Sequence, residues 1–372
     1  RLLTWRCVGA ARRKFAAATK VISYGPCQTP TLHFCVARAR EIEAFETSPF
    51  WRVKVTARAK GCSMPLALSW LGGDRHDAGD ETEDESLARN VVEQVGKSGR
   101  LRVLSVKSRP QKMLPPVGLN TVQLLVAGSK ALGMSPKQVM NVAEKLYSAG
   151  FISYPRTETT KYDPNGFDVR VALREHAKQP DWGKAAGYLL RGKYSKSGRP
   201  PQGGVDKGDH PPITPTRAAN REDVGGGAAW RVYEYIARSF IGSLGDELSF
   251  HRRVTELGFD ADVSKKVAFQ HEQVFIDSLG FAGACSWVLR DIGAVSKDEK
   301  SNQLQVVEGQ HLTIASSSVE DCYTTPPRFL QEHELIELMD ANRIGTDASM
   351  ATHVANIIDR GYVTVCDETG EP

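Results

Sequence analysis

Along its 372 residues this chain changes hydrophobic period four times, and that order of blocks constrains the fold more than any other feature. The first forty-five residues mix helical periodicity with a Gly25-Pro26 break. From Phe50 the side chains alternate, with Trp51, Val53 and Val55 on one face and Arg52, Lys54 and Thr56 on the other, which predicts a strand. "GRLRVLSVKSRP" (99–110) resumes that alternation and ends at a proline. The period then becomes helical. In "SPKQVMNVAEKLYSAG", Ser135 is a good N-cap, Pro136 suits the first helical position, and Gln138 completes a capping box. Val139, Val142, Ala143 and Leu146 follow at i, i+3, i+4 and i+7, and Gly150 supplies a left-handed C-terminal cap, predicting a helix over 135–149. Trp230–Leu244 is helical again, strand-like stretches run from Ser249 to about Ser318, and two helices close the chain, the second ending at Gly361. Helix, strand, helix, strand, helix in that order implies segments that leave a domain and return to it.

The length suggests two or three domains. With 41% hydrophobic and 25% charged residues, the composition is that of an ordinary folded chain able to bury a core. Two segments read as loops. "GDRHDAGDETEDES" (73–86) is acidic without a large apolar residue, and 194–217 is rich in Gly, Pro and Ser, a length of loop that is often functional. A net charge of +4 classifies nothing by itself, but its distribution is uneven. Arg1, Arg6, Arg12, Arg13, Lys14, Lys20, Arg38 and Arg40 fall within the first forty residues without one acidic residue, which suits a polyanion such as nucleic acid. A solvated helix face or an import-like leader is the alternative. Seven scattered cysteines with no CxxC pair argue against a zinc ribbon or a disulfide framework. No apolar run reaches the ~18 residues of a membrane span. Both ends look cut from something longer, since the chain starts at Arg1 and stops soon after "GYVTV".

Directly after the predicted helix comes "FISYPRTETTKY" (151–162). A phenol ionises near pH ~10 and is a poor nucleophile unless its surroundings favour the phenolate, which a guanidinium two residues away can do. In an extended segment Tyr154 and Arg156 project from one face, and Pro155 restricts the backbone between them. Arg156 can bind a phosphate oxygen as charge develops, and Thr157 and Thr159 can offer hydroxyls to neighbouring phosphates. A phosphotyrosine link conserves bond energy, so such chemistry needs no ATP site, and the chain has no G-x-x-x-x-G-K-[ST] sequence. The bland alternative is a surface tyrosine beside an ordinary arginine.

The flanking motifs favour the first reading. "GFISYPRTETTKY" resembles the active-site tyrosine segment of type IA DNA topoisomerases. "VISYGPCQTPTLHFCVARAREIEAF" (21–45) is similar to their Gln-Thr-Pro-Thr-Leu signature, and its Ser-Tyr-Gly-Pro-Cys form points to the eukaryotic topoisomerase III branch, beta type. "DHPPITPT" (209–216), and "NRIGTDAS" followed by "DRGYVTV", resemble two further family motifs in the family's order. The resemblance implies a mixed α and β multidomain fold, a type IA toroid core of helical domains with winged-helix-like elements and a β-rich hinge. It makes Tyr154 the nucleophile, Arg156 the phosphate-binding and transition-state arginine, and His210 a contact of the scissile phosphate region. Thr157 and Glu158 take the positions after the arginine. Ser23 and Gln28 match nucleic-acid contacts of the first signature, Arg6 and Arg13 fit basic residues of the preceding helix, and Ser349 and Arg360 match contacts of the last motif. Ser23 and Gln28 as caps, and Ser349 as a helix starter, stay open as alternatives.

The implied plan is a base domain begun over 1–48 and a hinge over 49–118. The helical domain carrying the tyrosine follows over 119–246, the hinge resumes over 247–320, and the base domain closes over 321–372. Two departures stand out. Gly25-Pro26-Cys27 replaces the Gly-Arg-Val of many relatives, a feature shared by the beta-type branch. No Asp-x-Asp-x-Glu motif of the family's N-terminal Toprim domain occurs, so magnesium is expected on that domain and not on this chain, and this chain alone is expected to be inactive. The family implies ATP-independent relaxation and decatenation through a 5′-phosphotyrosine gate in single-stranded DNA, with RNA as a further substrate of beta-type relatives. It also implies a RecQ-type helicase or a Tudor-domain partner, and location in the nucleus, or the cytoplasm for beta-type relatives. The rival readings are a single-stranded nucleic-acid-binding module that has lost catalysis, and a tyrosine recombinase, which the mid-chain place of Tyr154 disfavours.

Overall fold

The structure is a computed structural model that describes residues 25–59, 65–74, 79–259, 268–294, 306–347 and 349–366. It divides into two compact units, one made of Glu46–Pro115 and Asp246–Pro326, the other of Arg1–Phe45, Pro116–Gly245 and Pro327–Pro372. Among the described residues no helix is long and apolar enough to cross a membrane.

The first unit is built on a sheet whose named strands pair antiparallel. Its strands are β1 (Pro49–Arg58), β2 (Leu66–Trp70), β3 (Glu81–Thr82), β4 (Arg100–Met113), β5 (Leu248–Gly258), β6 (Phe269–Ser278) and β7 (His311–Tyr323). They lie in the order β2-β6-β5-β4-β7-β1-β3, and β2 also pairs with β1, so six strands close on themselves. Closure removes free edges, which a strand-rich unit otherwise exposes to aggregation. Alternation along β1 sends Val53, Val55 and Ala57 inward, where they meet Leu68, Trp70, Leu101, Val103, Phe269 and Leu312. β4 does not stop at Pro110 as its sequence suggests but continues to Met113. Among the described residues it pairs there with β5 alone, since β7 covers only Arg100–Arg102, and a proline without an N–H is tolerated on such a strand flank.

The acidic stretch expected to be a loop over 73–86 is only partly one. Glu81 and Thr82 are buried in β3, paired with Trp51 and Arg52, and the Glu81 carboxylate accepts from the Arg52 guanidinium at 2.5 and 3.1 Å. Asp84 then caps α2 (Glu85–Ser98) by accepting from the Leu87 N–H at 3.1 Å, and the helix buries Ala88 and Val95 against the sheet. Negative charge is favourable in a first helical turn, so part of this run is a helix start, and Glu81 became buriable because a distant arginine meets it.

In the helical unit, α1 spans Gln28–Glu43, α3 Thr121–Leu132, α4 Pro136–Ser148, α5 Val169–His176, α6 Gly183–Arg191, α7 Gly227–Ser243, α9 Glu332–Ala341 and α10 Met350–Asp359; the short α8 (Trp287–Asp291) belongs to the sheet unit. α4 matches its sequence reading: Ser135 and Gln138 form the reciprocal capping box, and Val139, Met140, Ala143 and Leu146 are buried. Gly150 follows at φ 72°, and the Phe151 N–H returns to the Leu146 carbonyl at 2.9 Å, ending the helix and reversing the chain. α7 is buried through Val232, Tyr233, Ile236, Ala237, Phe240 and Ile241.

A histidine sits in this core. His176 is 1% exposed, and its Nδ1 accepts from Trp182 Nε1 at 3.1 Å. Burial pushes its pKa down to about 4, only partly offset by Glu175. An unfolded histidine protonates near ~6.5. The neutral ring's contribution is therefore fully present above pH ~6.5 and is lost as pH falls toward about 4, a loss of about 3 kcal/mol. Urea denaturation at stepped pH from 7.5 to 4.5 is expected to show this slope, flattened in His176→Gln. Parallel slopes for the two proteins would assign the acid sensitivity elsewhere.

Candidate active site

After Gly150 the chain runs extended and is held on two sides. On one, Ile152 bridges Pro215, the Ser153 N–H donates to the Thr214 carbonyl at 2.8 Å, and the Thr216 N–H donates to the Phe151 carbonyl at 3.0 Å. The Ser153 hydroxyl completes this ladder, donating to the Pro212 carbonyl at 3.1 Å and accepting from the Thr214 N–H at 2.9 Å. On the other side stands buried Thr121, first residue of α3. Its hydroxyl donates to the Pro155 carbonyl at 2.7 Å and accepts from the Thr157 N–H at 2.8 Å, while its own N–H donates to the Thr157 carbonyl at 3.0 Å. The backbone is thus pinned immediately before and after Arg156. Gly118 permits the close approach, because a Cβ there would lie 2.7 Å from the Thr160 carbonyl oxygen and from Pro212.

Tyr154 is half-buried. Its ring lies edge-on to two others, Tyr147 at 5.1 Å and His210 at 4.6 Å between centroids. No hydrogen bond reaches its hydroxyl from any described residue. Arg156 turns back to α4, where its Nη2 forms an ion pair with Glu144 Oε1 and its Nε is buried without a partner among the described residues. Two of the three residues expected to be catalytic, Tyr154 and His210, are therefore in ring contact, and the third shares α4 with the ring that flanks Tyr154.

The residues after Arg156 meet Asp209. The Glu158 N–H donates to Asp209 Oδ2 at 2.6 Å, and the Thr159 hydroxyl donates to Oδ1. The Thr157 hydroxyl lies between the His210 carbonyl and Oδ1, at 3.2 Å from the latter. Partial burial pushes the Asp209 pKa up, but these donors outweigh it and hold the carboxyl below its ordinary value. Thr157 and Thr159 are buried, and their hydroxyls bond to these internal partners. Glu158 remains exposed. A cavity of about 450 Å³ opens beside His210 and Asp209, lined also by Lys161, Phe167 and Asp206.

The other sequence-predicted residues lie apart from this cluster in the hydrogen-bond network. Gln28, in the first turn of α1, accepts from Arg360 Nη1 at 2.7 Å, and its Nε2 is buried without a partner among the described residues. The Ser349 hydroxyl accepts from the Thr346 N–H at 2.9 Å just before α10 and makes no capping hydrogen bond to that helix. Arg6, Arg13 and Ser23 fall outside the described residues. Nothing in the local sequence marks Glu144, Tyr147, Asp209 or Thr121 as neighbours of the tyrosine segment. Helical spacing puts Glu144 and Tyr147 one turn apart, but only the reversal at Gly150 brings the tyrosine segment back across them.

A family model described as DNA topoisomerase matches residues 5–371. DNA topoisomerase 3-beta of Oryza sativa subsp. japonica is 39% identical over 347 residues, covering 93% of this chain and 37% of that protein. DNA topoisomerase 3-beta-1 of Homo sapiens is 35% identical over 347 residues, again 93% of this chain and 37% of the relative. The chain thus spans less than two fifths of these relatives' length. In fold it is similar to full-length topoisomerase I from Thermotoga maritima, with a TM-score of 0.69 at 19% identity over 99% of this chain and 56% of that one. Sequence match and fold agree with the ordered motifs, and this chain belongs to the type IA DNA topoisomerase family, in the beta-type branch of topoisomerase III.

Proposed function

We propose that this chain carries the strand-cleaving tyrosine of a beta-type topoisomerase III. The Tyr154 oxygen attacks the scissile phosphorus of single-stranded DNA, the bond from phosphorus to the 3′-oxygen breaks, and the 3′-hydroxyl leaves with a proton. The new 5′-phosphotyrosine keeps the bond energy, so the 3′-hydroxyl reverses the step after another strand has passed, without ATP. Relaxation of negative supercoils and decatenation are the proposed consequences. The observation that carries the reading is the phenol itself, partly exposed, without a hydrogen-bond partner among the described residues, and flanked by His210 in a segment pinned around Arg156.

Magnesium belongs to this proposal as a cofactor of a Toprim domain. Among the described residues no three His, Cys, Asp or Glu side chains gather to hold a metal, and no step here is routed through one. RNA as a second substrate, a RecQ-type helicase or Tudor-domain partner, and nuclear location with a cytoplasmic pool rest on family likeness alone.

The test is the polarity of a covalent adduct. Incubated with magnesium and a single-stranded oligonucleotide and then denatured, the full-length protein is expected to retain the 3′-end label and release the 5′-end label. Retention of neither would leave a binding module, and retention of the 5′ label would mean a 3′ linkage. Arg156→Ala is expected to slow adduct formation by about 10²–10³-fold, since a charged donor at developing negative charge stabilises a transition state by about 2–4 kcal/mol.

A further inference from the structure

We propose that Glu144 and Tyr147, one helical turn apart on α4, are positioning residues for cleavage, the first for the Arg156 guanidinium and the second for the Tyr154 ring. This rests on the strand-cleaving reading above. The Glu144 and Arg156 side chains are 38% and 36% exposed, and an ion pair so open to water adds little to stability. Its effect is on orientation. A guanidinium is a flat fork of five donors, so fixing Nη2 on one carboxylate oxygen fixes the plane of the remaining four. The Arg156 side chain stays about a third exposed, so other donors of that fork remain open to a phosphate oxygen.

Tyr147 does the equivalent for the nucleophile. Its ring is 45% exposed, so it adds little to the core, yet it stands edge-on to Tyr154 at 5.1 Å. Together with His210 it gives the phenol two aromatic walls while leaving its hydroxyl unbonded. Both contacts come from one helix that is anchored by its buried Val139, Ala143 and Leu146, and whose start is fixed by its capping box. A rigid helix is a better support for reacting groups than a loop, because displacement of about an ångström at the reacting atoms costs orders of magnitude in rate.

The full-length protein, with magnesium and a 3′-labelled single-stranded oligonucleotide, tests this. Glu144→Ala is expected to lower the adduct rate at saturating oligonucleotide by about 10–30-fold, with half-saturation and melting temperature unchanged. Glu144→Gln keeps an oxygen acceptor at the same place and is expected to stay within about threefold of the parent. In an Arg156→Ala background, Glu144→Ala is expected to do nothing further, because its effect runs through the guanidinium. Tyr147→Phe keeps the ring and the rate, while Tyr147→Ala lowers the rate about tenfold. The proposal is overturned if Glu144→Ala reacts at the parental rate, if Glu144→Gln is as slow as Glu144→Ala, or if the loss persists without Arg156. A parent protein that forms no adduct overturns the strand-cleaving reading as well, whereas a parent that reacts alongside an unaffected Glu144→Ala overturns this inference alone.

Discussion

Tyr154→Phe is expected to abolish covalent adduct formation while leaving folding and single-strand binding nearly unchanged. Phenylalanine removes the only atom that can be esterified and leaves the ring that packs edge-on against Tyr147 and His210. The lost hydroxyl has no hydrogen-bond partner among the described residues, so no group is left unpaired. Stability should move by no more than about 0.5 kcal/mol, the range of substitutions that disturb no special feature. Affinity for a single-stranded oligonucleotide is carried by phosphate contacts elsewhere and should stay within about twofold. Adduct should fall below detection, at least about a thousandfold. Trapping of 3′-labelled oligonucleotide by the phenylalanine protein would remove Tyr154 as the nucleophile.

Thr121→Val is expected to lower both stability and adduct rate, through the backbone rather than the chemistry. The two side chains have nearly the same shape, so valine leaves little cavity. It strands the Pro155 carbonyl and the Thr157 N–H, which the buried hydroxyl now satisfies at 2.7 and 2.8 Å. Each buried group left unpaired costs about 1–3 kcal/mol, so unfolding free energy should drop by about 2–6 kcal/mol in chemical denaturation. Those two groups bracket Arg156, so the adduct rate is expected to fall at least about tenfold as well. Thr121→Ser keeps the hydroxyl and should recover most of both losses. A valine protein as stable and as fast as the parent would show that α3 does not hold this segment.

Much of the site was legible because it is local. The helix over Pro136–Ser148, its capping box and the glycine stop at Gly150 follow from rules acting within a few residues. The tyrosine segment was found by its residue types, and His210 by a motif that happens to lie in the loop zipped against it. Asp209 sat beside His210 in the same motif and passed unmarked, since nothing local says that its carboxylate gathers Glu158, Thr157 and Thr159 from fifty residues away. The same blindness applies to Glu81, whose burial depends on Arg52.

By itself the sequence determined the helix over Pro136–Ser148 with its cap and glycine stop, the apolar face of β1, and which tyrosine carries an arginine and a histidine motif in its retinue. It did so because capping, hydrophobic period and left-handed glycine turns are settled by neighbours in the chain. Only the tertiary structure decided that six strands close on themselves, that Thr157 and Thr159 turn inward to Asp209, and that Glu144 and Tyr147 face the reacting pair. Those outcomes depend on groups separated by long stretches of chain, and their pairing is selected by which buried polar atoms and apolar faces can be satisfied together.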